Sequence, residues 1–349
     1  MARRLGPARP PARTGARGAA RGGRGVAGMD HPDPGGGRGM RRRARGLALV
    51  LVLWVLALLG VLAMGFTAVS RTEVLLTRNM LDQARLRAAA EAGVALAVMG
   101  LTHPDPFQRW RADGTPFHGP FDGMDLRVAA LDETGRIDLN EADEALLGAV
   151  LSQAGAPPEQ QDALLSTILD FRDGDDLRRP QGAEDGDYRA MGLPYGAKDA
   201  PFEDMEELRL IPGMTPETYE HLQPLLTVHS GHGRVNPWRA SREVLMALPG
   251  AGAEAVDAFL ALRDLGALDP GQPPPPPPVG IDGRFLFSRI SQVHAVRVEV
   301  AAPEGPSLRV EAVIRLHWPW GLAEGRPYDV LAWKEGAHFA LPGLEGEQR

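Results

Sequence analysis

Cysteine is absent from this 349-residue chain, which excludes a disulfide framework and a thiolate metal site. Equally missing are a Ser-His-Asp arrangement, a Gly-rich phosphate loop and a His-based metal motif, so no enzyme is expected. Positive charge is scarce over most of the length. Residues 1–46 hold twelve Arg against Asp30 and Asp33, a balance of +10, while the whole chain is −7, leaving −17 for residues 47–349. A body this acidic argues against nucleic acid as a main partner, because phosphate binding needs a basic surface. What remains is ordinary for folded protein, with 44% apolar and 24% charged residues. The length allows two or three domains, each with its own core.

Large apolar side chains are nearly absent from residues 1–39, a stretch of Arg, Gly, Ala and Pro expected to be disordered. Met40 then opens the run Met-Arg-Arg-Arg-Ala-Arg-Gly, ending at Gly46. Charge is in turn absent from Leu47–Val69, 23 residues with Thr67 as the single polar side chain. That run makes about 34 Å of helix, enough to cross a bilayer. Arg41, Arg42, Arg43 and Arg45 put its leading end in the cytoplasm and the body outside. A secretory signal peptide would have a shorter apolar region and a small-residue cleavage site. A plain signal anchor and a leader cut between Gly46 and Leu47 are left. A seven-residue basic leader ending in Gly, followed directly by the apolar helix, resembles the type III signal of type IV pilins and pseudopilins. The start is one of Met1, Met29 and Met40, with residues 1–39 read as an over-extended beginning.

No proline interrupts residues 71–101, where Val74, Leu75, Met80, Leu81, Leu86, Ala90, Val94 and Val98 form a stripe at helical spacing. The spacing predicts one long helix over 47–101, half in lipid and half amphipathic, ended by His103-Pro104. Residues 102–123 read as loop, and Met124–Leu131 alternates as a strand. A helical stretch follows, then Pro273–Pro278, which reads as a stiff, exposed polyproline II linker. Beyond it the period changes to two over Phe285–Ile290, Val293–Ala301, Leu308–Leu316 and Tyr328–Trp333, with a turn at Glu304-Gly305-Pro306. The fold class is therefore α+β: a long N-terminal helix packed on a small antiparallel sheet, with an inserted all-helical domain. Its parts are a leader (1–46), a membrane and stalk helix (47–101), a first sheet portion (102–139), a helical insert (140–270), a linker (271–280) and closing strands (281–349).

Inside the insert, Glu206–Met214 is echoed by Arg242–Ala251, each a helix followed by a Pro-Gly turn. Asn236-Pro237 likewise echoes Asp138-Leu139-Asn140. This is the helix-hairpin-helix pattern, in which Gly allows the tight turn. Such hairpins hold DNA backbones elsewhere, so a membrane-anchored DNA-binding protein of the competence type is the alternative reading. The neighbours here are Glu203, Asp204, Glu206, Glu207, Glu217 and Glu220, which repel phosphate, and a packing role is favoured. Residues 170–202 gather Asp170, Asp173, Asp175, Asp176, Glu184, Asp185, Asp187 and Asp199. Hard oxygen ligands without Cys or His suit Ca²⁺, although the spacing is not that of an EF-hand. The alternative is a solvated loop whose charges pair with Arg172, Arg178, Arg179 and Arg189. No aromatic-lined cleft accompanies these carboxylates, which sets glycosidase chemistry aside.

Six segments in order carry a family resemblance: RGLALVLVLWVLALL, RNMLDQARLRAAAEAG, GRIDLNEADEALL, the run from DFRDGDDLRRPQGAEDGDY to EELRLIPGM, GRVNPWRASREVLMALPG and PYDVLAWKE. Together they resemble the type II secretion system protein K family (general secretion pathway protein K), a family of minor pseudopilins, over about residues 40–340. The resemblance implies a pseudopilin body with a SAM-like, helix-hairpin-helix-like insert. It also implies an inner-membrane precursor with a periplasmic body, processed by prepilin peptidase between Gly46 and Leu47 and methylated. It implies Ca²⁺ on acidic residues of the insert, for which Asp173, Asp175, Asp176, Glu184, Asp185 and Asp187 stand as ligands. The implied partners are minor pseudopilins I and J, through them H and the major pseudopilin G, and the inner-membrane assembly platform. The fifth position after the cleavage is Leu51, where pilin-like proteins usually carry Glu. A subunit lacking that carboxylate fits one that starts a filament and stays at its tip.

Overall fold

Fifty-nine consecutive residues without proline make the first helix, α1 (Arg43–Leu101). This computed structural model describes residues 43–266, 273–289, 291–303, 305–317, 326–336, 339 and 341, with side chains at 48–66 and from 73 onward among these. The starts Met1, Met29 and Met40, the stretch 1–39, Gly271-Gln272, Ile290 and Glu304 lie outside the described residues, as do the side chains of Gly46 and Leu47. Within α1, Ala48–Phe66 is long and apolar enough to cross a membrane, with a mean hydropathy of 2.8.

The C-terminal part of α1 packs on a sheet. Leu86, Ala89, Ala90, Val94, Ala97 and Val98 are buried, recurring every three or four residues on one face. They meet Val128, Val296, Val298, Val310, Ala312 and Ile314, all fully buried on the sheet. Small residues let the backbone come close: a Cβ on Gly93 would lie 2.7 Å from Val298 Cγ1. The expected stripe is thus covered only from Leu86 onward, while Val74, Leu75, Met80 and Leu81 stay exposed.

The sheet has five antiparallel strands, β1 (Asp113–Phe121), β2 (Met124–Asp132), β5 (Val293–Ala301), β6 (Ser307–Leu316) and β7 (Tyr328–Glu335), in that spatial order. Between β2 and β5 the described residues make two short parallel strands, β3 (Ile137–Asp138) and β4 (Leu226–Thr227), and six α-helices. These are α2 (Glu144–Gln153), α3 (Pro158–Arg172), α4 (Asp185–Ala190), α5 (Pro216–Leu222), α6 (Arg242–Met246) and α7 (Ala253–Gly266). They have their own core, which includes Leu146, Leu151, Leu164, Ile168, Tyr219, Leu222 and Leu245.

Three expectations are corrected. Residues 102–123 are not all loop, because β1 lies within them. Its Pro116 and Pro120 lower strand propensity but are tolerated at an edge, where only one side of the strand is paired. Phe285–Ile290 is not a strand among the described residues. Gly283–Phe285 is a 3₁₀ turn capped by Asp282, and Leu286 makes one isolated bridge with Val235. Phe285 and Leu286 are apolar because they bury in the helical core, not because they alternate in the sheet. The proline run is no free spacer either: Trp238 Nε1 donates to the Pro275 carbonyl at 2.9 Å, and Pro278 is buried.

Candidate functional site

Both helix-hairpin-helix turns are built on left-handed glycines, Gly213 at φ 87° and Gly250 at φ 83°. A Cβ on Gly250 would overlap the Gly280 carbonyl, so the second turn needs glycine for close approach as well as for conformation. Around the turns, Leu208, Ile211, Val244, Leu245 and Leu248 are buried in the insert core. The nearby cations are engaged by carboxylates: Lys198 with Glu207, Arg209 with Glu206, Lys334 with Asp204 and Arg242 with Asp257. The hairpins are packing units with their positive charge already neutralised.

The acidic segment starts at the end of α3. Asp170 is fully buried and accepts from the Arg179 guanidinium at 2.8 Å and from the Arg179 backbone N–H. The same guanidinium bridges to Asp173 Oδ2. Arg172 points elsewhere, donating to the carbonyls of Leu139 and Ala142 and so fastening α3 to the entry of α2. Glu184, 7% exposed, precedes α4, and its backbone N–H donates to Asp187 Oδ2 at 3.1 Å. Asp199 adopts a left-handed conformation at φ 53°, which Asp tolerates better than most residues.

Four carboxylate oxygens are buried there without a hydrogen-bond partner among the described residues: Asp173 Oδ1, Asp199 Oδ1 and both oxygens of Glu184. Burying an ionised carboxylate without compensation is costly. Burial, and then the negative charges of Asp170, Asp199, Asp173 and Asp176, push the Glu184 carboxyl up to about 7. Burial also raises Asp199, helped by Asp176, Asp185, Asp173 and Asp175. Orphaned hard oxygens in a dry, negative setting are the donor set that a hard divalent cation takes. As they stand, no three His, Asp or Glu side chains among the described residues converge into a ready-made metal cage.

The six expected ligands therefore differ in setting. Asp173 and Glu184 hold unsatisfied oxygens, and Asp176 lies close enough to act on Glu184. Asp175 accepts from the Leu177 N–H at 2.9 Å. Asp185 pairs with Arg189 at 2.5 Å and Asp187 with Arg178 at 2.9 Å. Asp170 and Asp199 were part of the acidic run but outside the expected ligand set, and the structure brings both to Glu184. Gly196, where a Cβ would overlap the Asp185 carboxylate, is a signal of how tightly this loop closes on α4.

Comparison with known proteins follows the same lines. A family profile described as "Type II secretion system (T2SS), protein K" matches residues 126–231. The type II secretion system protein K of Klebsiella pneumoniae is 26% identical over 264 residues, 64% of this chain and 80% of that protein. That of Pseudomonas aeruginosa is 29% identical over 246 residues, 63% of this chain and 73% of that protein. A chain of the crystal structure of the GspK-GspI-GspJ complex from enterotoxigenic Escherichia coli shares the fold. Its TM-score is 0.56 at 18% identity, covering 75% of this chain and 99% of that chain. A long helix with an apolar N-terminal run, and an antiparallel sheet with a helical insertion between neighbouring strands, make up the fold shared with that structure. The chain is thus similar to type II secretion system protein K, through the profile over residues 126–231 and through both relatives.

Proposed function

We propose that the chain acts by assembly, starting and capping the pseudopilus tip, and catalyses no reaction. Leu51 carries this reading. A pilin-like subunit with Glu at that position can meet the N-terminal ammonium of a neighbour already in the filament. The 23-residue run Leu47–Val69 has no carboxylate to offer, and an ionised one in lipid would have to be paired. The ammonium at Leu47, exposed by prepilin peptidase after Gly46 and then methylated, still receives the next subunit's Glu. The exposed Val74, Leu75, Leu76, Met80 and Leu81 are a face that neighbouring stalk helices cover. The partners are minor pseudopilins I and J, the two assembled with the relative in its crystal complex. Beyond them come H, the major pseudopilin G and the inner-membrane platform. The precursor is a single-pass inner-membrane protein with a cytoplasmic leader and a periplasmic body.

Calcium completes the insert in this reading. Glu184, Asp173 and Asp199 hold it through their unsatisfied oxygens, with Asp176, Asp175, Asp185 and Asp187 completing a flexible oxygen shell. The ion supplies the positive charge that lets the end of α3 and the start of α4 lie against one another.

The deciding experiment is the mass of the mature protein from cells containing prepilin peptidase. An N-terminus at Leu47, with loss of filaments on deleting the gene, is the expected result. An uncut precursor retaining residues 1–46 would overturn it.

A further inference from the structure

A cavity of about 480 Å³ opens where the end of α1, the loop before β1, the helical insert and the entry to β5 meet. Its composition is unusual for this molecule. Residues 47–349 carry −17, yet this wall presents three arginines, Arg109, Arg239 and Arg289, against the single carboxylate of Asp132; Arg109 Nε donates to the His103 carbonyl at 2.9 Å. One oxygen of Asp132, Oδ1, is engaged already, accepting from the Thr134 N–H at 2.9 Å and hydroxyl at 2.6 Å. Arg239 approaches Asp132 only to 3.9 Å, and Arg289 has no ion pair among the described residues.

Two further groups give the cavity a shape. Trp110 and Trp238 supply flat apolar walls, each fixed from behind. Trp110 stacks on Phe117 with ring centroids 5.1 Å apart, and Trp238 is held through its bond to Pro275. His294 is 6% exposed, and its Nδ1 is buried without a hydrogen-bond partner. Burial, and then the charge of Arg239, hold the imidazole below its usual range, against the pull of Asp132 and of the Ser291 backbone. A buried imidazole nitrogen lacking a partner can take one peptide-type hydrogen bond.

We propose that this cavity binds a carboxylate-bearing peptide segment of a partner protein. The carboxylate pairs with Arg239 and Arg289, the adjoining peptide group bonds His294, and an apolar side chain lies on Trp110 and Trp238. The carboxylate comes from a chain end or from an acidic side chain, and the two sources are separable. Guanidinium forks favour such bidentate recognition.

The test is calorimetric titration of the full chain in detergent micelles with three peptides. These are acetyl-Ala-Leu-Phe with a free carboxylate, the same peptide as its amide, and acetyl-Ala-Leu-Glu-Phe-amide. The free acid, the Glu peptide or both should bind at least tenfold more tightly than the plain amide, and which of them does identifies the source. Arg289→Gln and Arg239→Gln should each weaken that binding tenfold or more while leaving the melting temperature unchanged, since both side chains lie at the surface. Equal binding of all three peptides, no binding of any, or unaltered affinity in both arginine variants would overturn the proposal.

Discussion

Glu184 joins burial, charge and a proton at one position, and is the proposed calcium ligand. Its carboxyl sits near 7 when folded against 4.5 for a free side chain. Between those values the folded chain keeps a proton that the unfolded chain has lost, so stability falls as pH rises through that window. Without calcium, the melting temperature should therefore decline from pH 4.5 toward 7. Added calcium should raise it more at pH 7.5 than at pH 5, where it must displace the proton. Glu184→Gln should shrink the decline, leaving the part that the raised Asp199 contributes, and remove most of the calcium response; calcium-dependent melting unchanged in that variant would count against the site. The residue types of this site were plain in the sequence, whose acidic run has no other obvious use. Which of them lose their partners was not. Asp185 and Asp187 turn to Arg189 and Arg178, a choice made by local helix geometry, while Asp170 and Asp199 are brought in by the path of the loop.

At the scale of elements, the contact of α1 with the sheet depends on small residues as much as on large ones. A Cβ on Gly100 would overlap the Trp110 ring, so Gly100→Ala should cost about 1–3 kcal/mol by overpacking. Ile314→Ala, at a fully buried position on the sheet, should cost about 2–5 kcal/mol. Denaturant unfolding checks both. Trp238→Phe keeps the ring but strands the Pro275 carbonyl, and should cost about 1 kcal/mol. The central strands were legible because β5 alternates over Val296–Val300 and β6 over Leu308–Ala312, and α1 because nothing interrupts it. β1 was hidden by prolines that only an edge position tolerates. The anchoring of Pro273–Pro278 was hidden because a proline run advertises stiffness and says nothing of what it lies against.

For the whole molecule, the covered and uncovered parts of α1 separate folding from assembly. Leu75→Glu with Met80→Glu touches side chains that are exposed here. The pair should leave the unfolding free energy within about 1 kcal/mol of the parent yet, on the proposed function, abolish co-purification with minor pseudopilins I and J. A matching loss of stability would mean that this face is already occupied within the chain.

The insertion point also sets an order of events in time. Asp132 lies opposite His294, so pairing β2 with β5 closes a loop of about 160 residues. Closing so long a loop as flexible chain is entropically costly and slow. The insert is built largely from near neighbours, and the ladder from Ile137 to Leu226 and the bridge from Val235 to Leu286 draw its ends together. Once it has formed, the two halves of the sheet are delivered side by side. The helical insert thus serves as a template for its own host, and pulse-labelled hydrogen exchange should find its amides protected before those of β5.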